Sequence, residues 1–167
     1  MIFVTVGTHQ QPFPRLLSAL SALPPGRLVV QHGYGPAPAG VARAAAFMSF
    51  EEMTEQFEAA EAVVTHAGVG SILLAMRAGH TPIAVPRYSR RGEHVDDHQL
   101  ELARALAGLG HVVALWEGED LVAKLAAAPP RRSRLDAGAR PIHRAVRAAL
   151  RGEREPADAE DVGPRPG

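Results

Sequence analysis

Residues 62–71 read Ala62-Val63-Val64-Thr65-His66-Ala67-Gly68-Val69-Gly70-Ser71, and this stretch decides the fold. A β-branched apolar run of strand length stops at His66. Two glycines follow, and a helix is expected from about Ser71 to Ala78. A strand that passes through a glycine-rich turn into a helix opens a parallel β–α–β unit. Small residues let the chain turn tightly and leave the amides of the helix start open to approach. The positive end of the helix macrodipole at that point favours a diphosphate. Ser71 adds a hydroxyl donor. A glycine-rich turn of this kind also serves packing alone, and both readings stand at this stage. The pattern is not a full G-x-G-x-x-G, because residue 73 is Leu. It is neither a P-loop, which needs Gly-Lys-Ser/Thr, nor G-x-S-x-G, because Ile72-Leu73 follow Ser71.

The same grammar extends in both directions. Ile2 to Val6 reads as a first strand ending at Gly7, and Leu16, Leu17, Leu20 and Leu23 recur at helical spacing until Pro24-Pro25. Leu28 to Gln31 is a second strand, stopped by Gly33 and Gly35. Ala44 to Met48 forms a short third strand. Ser49 is placed to cap a helix that runs to about Ala60, with Glu51 and Glu52 in its first turn. Pro82 to Pro86 is a fifth strand. After a long polar loop, a helix is expected from about Val95 to Leu109, then a strand over Val112 to Leu115 and a helix over Asp120 to Ala127. Continuous apolar strands are buried on both faces, and β–α alternation requires right-handed crossovers. The expected class is α/β, a single Rossmann-like open parallel sheet flanked by helices.

Residues 1–128 form the expected domain, followed by a basic C-terminal helix over 129–151 and a tail over 152–167 expected to be disordered. Residues 131–151 carry seven arginines against the single acid Asp136. The helix is expected either as a solvated face on a docked element or as a contact for a partner protein or anionic headgroups. Of 167 residues, 46% are apolar and 22% charged, which is ordinary for a soluble globular chain. Eighteen basic residues balance 18 acidic ones, so net charge gives no argument for nucleic acid. The absence of cysteine excludes disulfides, thiolate nucleophiles and cysteine-held zinc. MIFVTVGTH reads as a strand rather than a signal peptide, and no stretch has the apolar length of a membrane span. The expected compartment is cytoplasmic.

Ligands of open α/β sheets bind at the carboxyl ends of the strands. The polar loops there are Gly7-Thr8-His9, Gln31-His32-Gly33, His66 to Ser71, and Pro86-Arg87 onward. His9 reads as a base, a phosphate contact or a satisfied loop histidine. The segment PRYSRRGEHVDDHQLELA, residues 86–103, is too polar for a mere connector. Its Glu93, Asp97, His98 and Gln99 offer the donors and acceptors that sugar hydroxyls need. Two other readings stand beside this one. Asp96 or Asp97 serves as a helix cap, or His94 and His98 hold a metal, which requires both on one helical face. No metal site is expected.

HAGVGS at 66–71, followed by GHTPIAVPR at 79–87 and DDHQLELA at 96–103, resembles the donor-binding C-terminal half of GT-B glycosyltransferases, the glycosyltransferase family 28 C-terminal domain. Within it the chain is most similar to small stand-alone PssE-like and Alg13-like subunits, and IFVTVGTHQQPFPRLL at 2–17 looks most like the bacterial PssE-like group. The resemblance spans about residues 1 to 125. It implies one half of a GT-B fold and a hexosyltransferase using a UDP-sugar, without metal or other cofactor. By position it implies that Gly68, Val69, Gly70 and Ser71, with Gly7 and Thr8, cradle the diphosphate. It places the uracil near Ser49, Phe50 and Met53, and the sugar hydroxyls against His98 and Gln99. His66, Gln31, Gly33, Arg87, Glu93 and Asp97 complete the expected substrate site. Many relatives carry an acid three residues after the serine, where it pairs with the ribose; here Leu74 stands.

A single half has nothing to close against, so the resemblance also implies a membrane-anchored acceptor-binding partner, PssD-like or Alg14-like. That partner supplies the catalytic base and a polyprenyl-diphosphate-linked acceptor, and it recruits the chain to the inner face of the membrane. The product would enter exopolysaccharide, capsule or lipid-linked glycan synthesis. Two alternatives differ in class. One is a non-catalytic nucleotide-binding regulatory module of the same fold. The other, a dinucleotide oxidoreductase, is opposed by the incomplete glycine fingerprint and by Gln31-His32 where an acid should end the second strand.

Overall fold

The computed structural model of the chain describes residues 1–132, together with Arg147 and Arg151, both helical and exposed. The expected basic helix over 129–151 and the tail over 152–167 otherwise lie outside the described residues. Over residues 1–132 the chain forms six strands and five α-helices: β1 (Ile2–Thr5), α1 (Pro14–Ala19), β2 (Leu28–Gln31), β3 (Arg43–Ala45), α2 (Phe50–Ala59), β4 (Ala62–His66), α3 (Val69–Arg77), β5 (Ile83–Val85), α4 (His98–Gly108), β6 (Val113–Ala114) and α5 (Leu121–Ala127). All pairings are parallel, in the order β3-β2-β1-β4-β5-β6. This is the expected open parallel sheet with helices on both faces.

Side-chain alternation along each strand builds the two layers. Val4, Val30, Val64 and Ile83 face α1 and α5, where Leu16, Leu20 and Leu121 cover them. Phe3, Val29 and Val63 point the other way onto α2 and α3, and Phe3 meets Phe57 edge-on with ring centroids 5.1 Å apart. Ala84 and Ala114 lie under α3 and α4, against Ile72, Leu102 and Leu106. Each fully buried side chain of this size contributes about 1.5–3 kcal/mol of transfer free energy. From β1 the strands are added first on one side and then, from β4, on the other, so the loops after these two strands part and open a crevice at the carboxyl edge.

Local signals account for most boundaries. Ser49 makes the expected capping box: its Oγ accepts from the Glu52 amide at 3.1 Å and Glu52 Oε2 accepts from the Ser49 amide at 2.9 Å. Asp120 caps α5 through the Val122 amide. Three boundaries differ from expectation. Helix α3 starts at Val69 rather than Ser71, since glycine costs little in a first turn whose amides have no helical partner. Helix α4 starts at His98 rather than Val95, because side chains hold the preceding backbone away from helix. Asp97 Oδ1 accepts from the Ser89 amide at 2.9 Å, and Asp96 Oδ1 from the His98 amide at 3.1 Å. Strand β3 is shorter than 44–48 and lies at the exposed edge.

Past α5 the chain crosses to the opposite face. Arg131 donates to Ala78 O at 2.8 Å and to Glu58 O at 2.6 Å, placing a cation at the carboxyl ends of α2 and α3 where the dipoles favour it. Among the described residues no helix is long and apolar enough to cross a membrane.

Candidate functional site

A cleft of about 600 Å³ opens at the β1/β4 crevice. The loop after β1 contributes Thr8, His9, Gln10 and Gln11. His66 comes from the end of β4, and His94, Val95 and Gln99 from the segment between β5 and α4. Expected Thr8, His66 and Gln99 are therefore brought together, along with His9. Gln10 and Gln11 were not singled out from the sequence. Their signal is a pair of amides in the loop after the first strand, too common in connectors to stand out.

His66 sits between two backbones. A Cβ on Gly7 would lie 2.5 Å from His66 Cε1, and one on Gly68 would lie 2.1 Å from His66 Nε2. Gly7 also has φ +79°, which other residues rarely adopt. These two glycines thus exist to admit the imidazole. Burial, aided by the Arg87 charge, holds the His66 pKa down to about 4, so the ring is neutral at physiological pH.

The start of α3 adjoins this ring. Gly68 is its N-cap; the Gly68 amide donates to His66 O at 2.8 Å, and the Ile72 amide donates to Gly68 O at 3.1 Å. Among the described residues the amides of Val69, Gly70 and Ser71 have no acceptor, and no side chain caps the helix. Gly70 differs from Gly68 in kind. A Cβ there would meet nothing within 4 Å. Packing explains the first glycine of the motif and leaves the second without a structural cause.

The opposite wall carries two histidines packed ring against ring at a tilt. The His9 and His94 rings have centroids 4.4 Å apart. His94 Nδ1 lies 3.0 Å from Asp96 Oδ1, and His98 Nε2 reaches the other oxygen of the same carboxylate at 3.9 Å. Burial, then the neighbouring His94 and Arg87, pull the His9 pKa down, while Gln11 and Asp96 act in the opposite sense. His94 precedes α4, so the single helical face that a His94–His98 metal pair requires does not form. Among the described residues no group of three or more His, Asp or Glu side chains is placed to hold a metal.

Several expected contact residues lie beneath or beside the cleft. Arg87 is fully buried and donates to backbone carbonyls, so it offers no surface to a ligand. Glu93, also buried, spends both carboxylate oxygens on Arg15 at 3.0 Å and accepts from the Tyr88 amide. Gln31 is 2% exposed; its amide donates to Gly7 O and Ala46 O, each at 3.0 Å, and its oxygen accepts from Thr5. It ties three strand ends together below the loops. Gly33, at φ +59°, packs 3.0 Å from Val6 Cγ2 by the same Cβ measure and is part of that layer. Asp97 holds the Ser89 turn, and His98 projects into solvent with its ring near Asp96 and Glu101. Phe50 is 71% exposed at the start of α2, and Met53 packs partly on the Phe3–Phe57 cluster. Neither lines the cleft. Leu74 packs on that cluster too, which accounts for an apolar residue at that position.

Comparison with known proteins places this geometry. The chain is 29% identical over 104 residues to the UDP-N-acetylglucosamine transferase subunit ALG13 of Yarrowia lipolytica, a match covering 58% of the chain and 51% of the relative. The chain thus spans about half the length of that curated relative. The fold is shared with the glycosyltransferase SnogD from Streptomyces nogalater (TM-score 0.51, 22% identity) and with CalG4, the calicheamicin glycosyltransferase (TM-score 0.52, 20% identity). Each superposition covers 90% of this chain, against 39% of SnogD and 38% of CalG4. The model of the glycosyltransferase family 28 C-terminal domain matches residues 1–149, and the chain belongs to that family.

Proposed function

We propose that the chain is the donor-binding part of a glycosyltransferase and that it holds a UDP-sugar at the β1/β4 crevice. The observation that carries this reading is the trio of unpartnered amides at Val69, Gly70 and Ser71, beside a glycine that packing does not require. Oriented amides at the positive end of a helix dipole suit a diphosphate. The cleft beside His66, which Thr8, Gln10, Gln11 and Gln99 also line, offers the donors and acceptors that the hydroxyls of a sugar need. In transfer, an acceptor hydroxyl oxygen bonds to the anomeric carbon, the bond from that carbon to the diphosphate oxygen breaks, and UDP departs with the negative charge. The amides are fixed in advance where that charge grows, which lowers the barrier electrostatically.

The transferred group is a hexose or N-acetylhexosamine. The relative's designation as a subunit of an N-acetylglucosamine transferase favours the second and supports a partner chain. That partner is a membrane-anchored acceptor-binding subunit presenting a polyprenyl-diphosphate-linked sugar and the base that takes the acceptor proton. It recruits this chain to the inner membrane face. A thermal-shift panel of nucleotide-sugars tests the reading. A UDP-sugar at 100 times its Kd is expected to stabilise the native chain by about 2.7 kcal/mol, visible as a raised midpoint. Purine diphosphate sugars should shift it less. No shift with any uridine nucleotide contradicts the proposal.

A further inference from the structure

Arg87 is the largest fully buried side chain among the described residues, and its hydrogen bonds all go to backbone carbonyls. One terminal nitrogen donates to Gln11 O at 2.8 Å and Glu93 O at 2.9 Å, and the other to Val6 O at 2.8 Å. Val6 and Gln11 flank the loop that carries Thr8 and His9, while Glu93 immediately precedes His94. One cation therefore spans the chord of the first loop and ties it to the second. The rings borne by these loops, His9 and His94, are the pair that pack together in one wall of the cleft. Phe13 lies 4.5 Å from the guanidinium carbon and closes it from the other side.

The charge is not needed for that tie. Glu93 directs its carboxylate to Arg15 and the Tyr88 amide, so among the described residues Arg87 has no carboxylate oxygen in direct contact. Its Nε finds no acceptor among the described residues. Burying a cation in this way is costly, and neutral donors could bridge the same carbonyls more cheaply. A charge retained at such cost beside a cleft points to use by the cleft.

We infer that Arg87 is a positioning residue acting through His9 and His94: it holds the two loops in register, and its buried charge makes the cleft attractive to an anion. The identity of that anion as a nucleoside diphosphate rests on the proposed donor site; the placement of the charge does not. The groups facing His9 are His94 and Asp96 from the β5–α4 segment, Gln11 from its own loop, and Arg87 below; His66 is the nearby ring on β4. Burial is the first cause of the low His9 and His66 pKa values, and the Arg87 charge acts in the same direction. Burial pulls Arg87 itself down to about 10, which leaves it charged at neutral pH.

Ligand-free imidazole titrations by proton NMR, with UDP calorimetry on the same samples, test the inference in the full chain. In Arg87→Gln the His9 titration should rise toward the ordinary histidine value, and UDP should bind on the order of tenfold more weakly. Arg87→Lys should keep the His9 titration near wild type. Glu93→Gln removes the nearest counter-charge and should lower the His9 titration further. An unchanged His9 titration in folded Arg87→Gln overturns the inference. Should Arg87→Gln fail to fold, a Glu93→Gln titration that stays put or rises overturns it equally. Shifts in the expected directions without any UDP binding to the wild type support the placed charge and refute the donor site.

Discussion

A Gly68→Ala chain is expected to lose about 2–3 kcal/mol of stability, or about 5–10 °C in Tm, and to lose its donor site with it. The new methyl would sit 2.1 Å from His66 Nε2 and 2.8 Å from Cδ2, distances that real Cβ atoms do not show. The ring has little room to retreat toward Gly7, where an added Cβ would already lie 2.5 Å from it. Relief requires His66 to leave or the start of α3 to move, and either displaces the open amides. The double variant Gly68→Ala/His66→Ala separates clash from propensity. Removing the ring removes the collision, so the double variant should be more stable than additivity of the singles allows. Additive losses, or a Gly68→Ala chain as stable as wild type, would show that the imidazole does not occupy that slot.

The second large effect is on acid stability. His66 has a native pKa of about 4 because burial disfavours its charged form, against an ordinary value of 6.5 in the unfolded chain. Between these values the unfolded state binds the extra proton, so lowering pH favours unfolding. The stability present above pH 6.5 is lost as pH falls toward 4, by about 3 kcal/mol for this one residue. His80, buried with its ring 2.8 Å from Phe57 O, and His9 are lowered too and add to the loss. Below that range the lowered carboxylates of Glu52, Glu61 and Asp97 take over, since protonating them forfeits their native hydrogen bonds. Denaturant unfolding at pH 7 and pH 4.5 measures the first window. A His66→Gln chain should show a visibly smaller difference between the two. A stability curve flat from pH 6.5 to 4.5 would mean that the ring is not held neutral by burial.

Pattern sufficed for the sheet. Strands such as Val63-Val64 and Val29-Val30 are apolar on consecutive residues, and only a sheet covered on both faces satisfies them. The polar rim was harder to read, because side-chain type does not reveal depth. Arg87 and Glu93 look like surface groups, yet both are buried in a network spanning more than 70 positions of sequence, from Arg15 to Glu93 and from Val6 to Arg87. Gln31 likewise serves the backbone of a loop that its own strand does not contain. The two motif glycines look alike in sequence and differ in three dimensions: His66 fills the space beside one, and open space lies beside the other. Asp97 and His98 fell outside the cleft because α4 begins late, a boundary set by hydrogen bonds that helical spacing does not encode.

That contrast supplies the decisive measurement, calorimetric titration of UDP into wild type and Gly70→Val with Tm recorded for both. The side chain has free space in the protein, so Tm should hold within a few degrees. The branched group would occupy the place proposed for the diphosphate, and affinity should fall by more than about 100-fold, or roughly 3 kcal/mol. Equal UDP affinity in the two chains would show that the anion does not lie on the amides of Val69, Gly70 and Ser71.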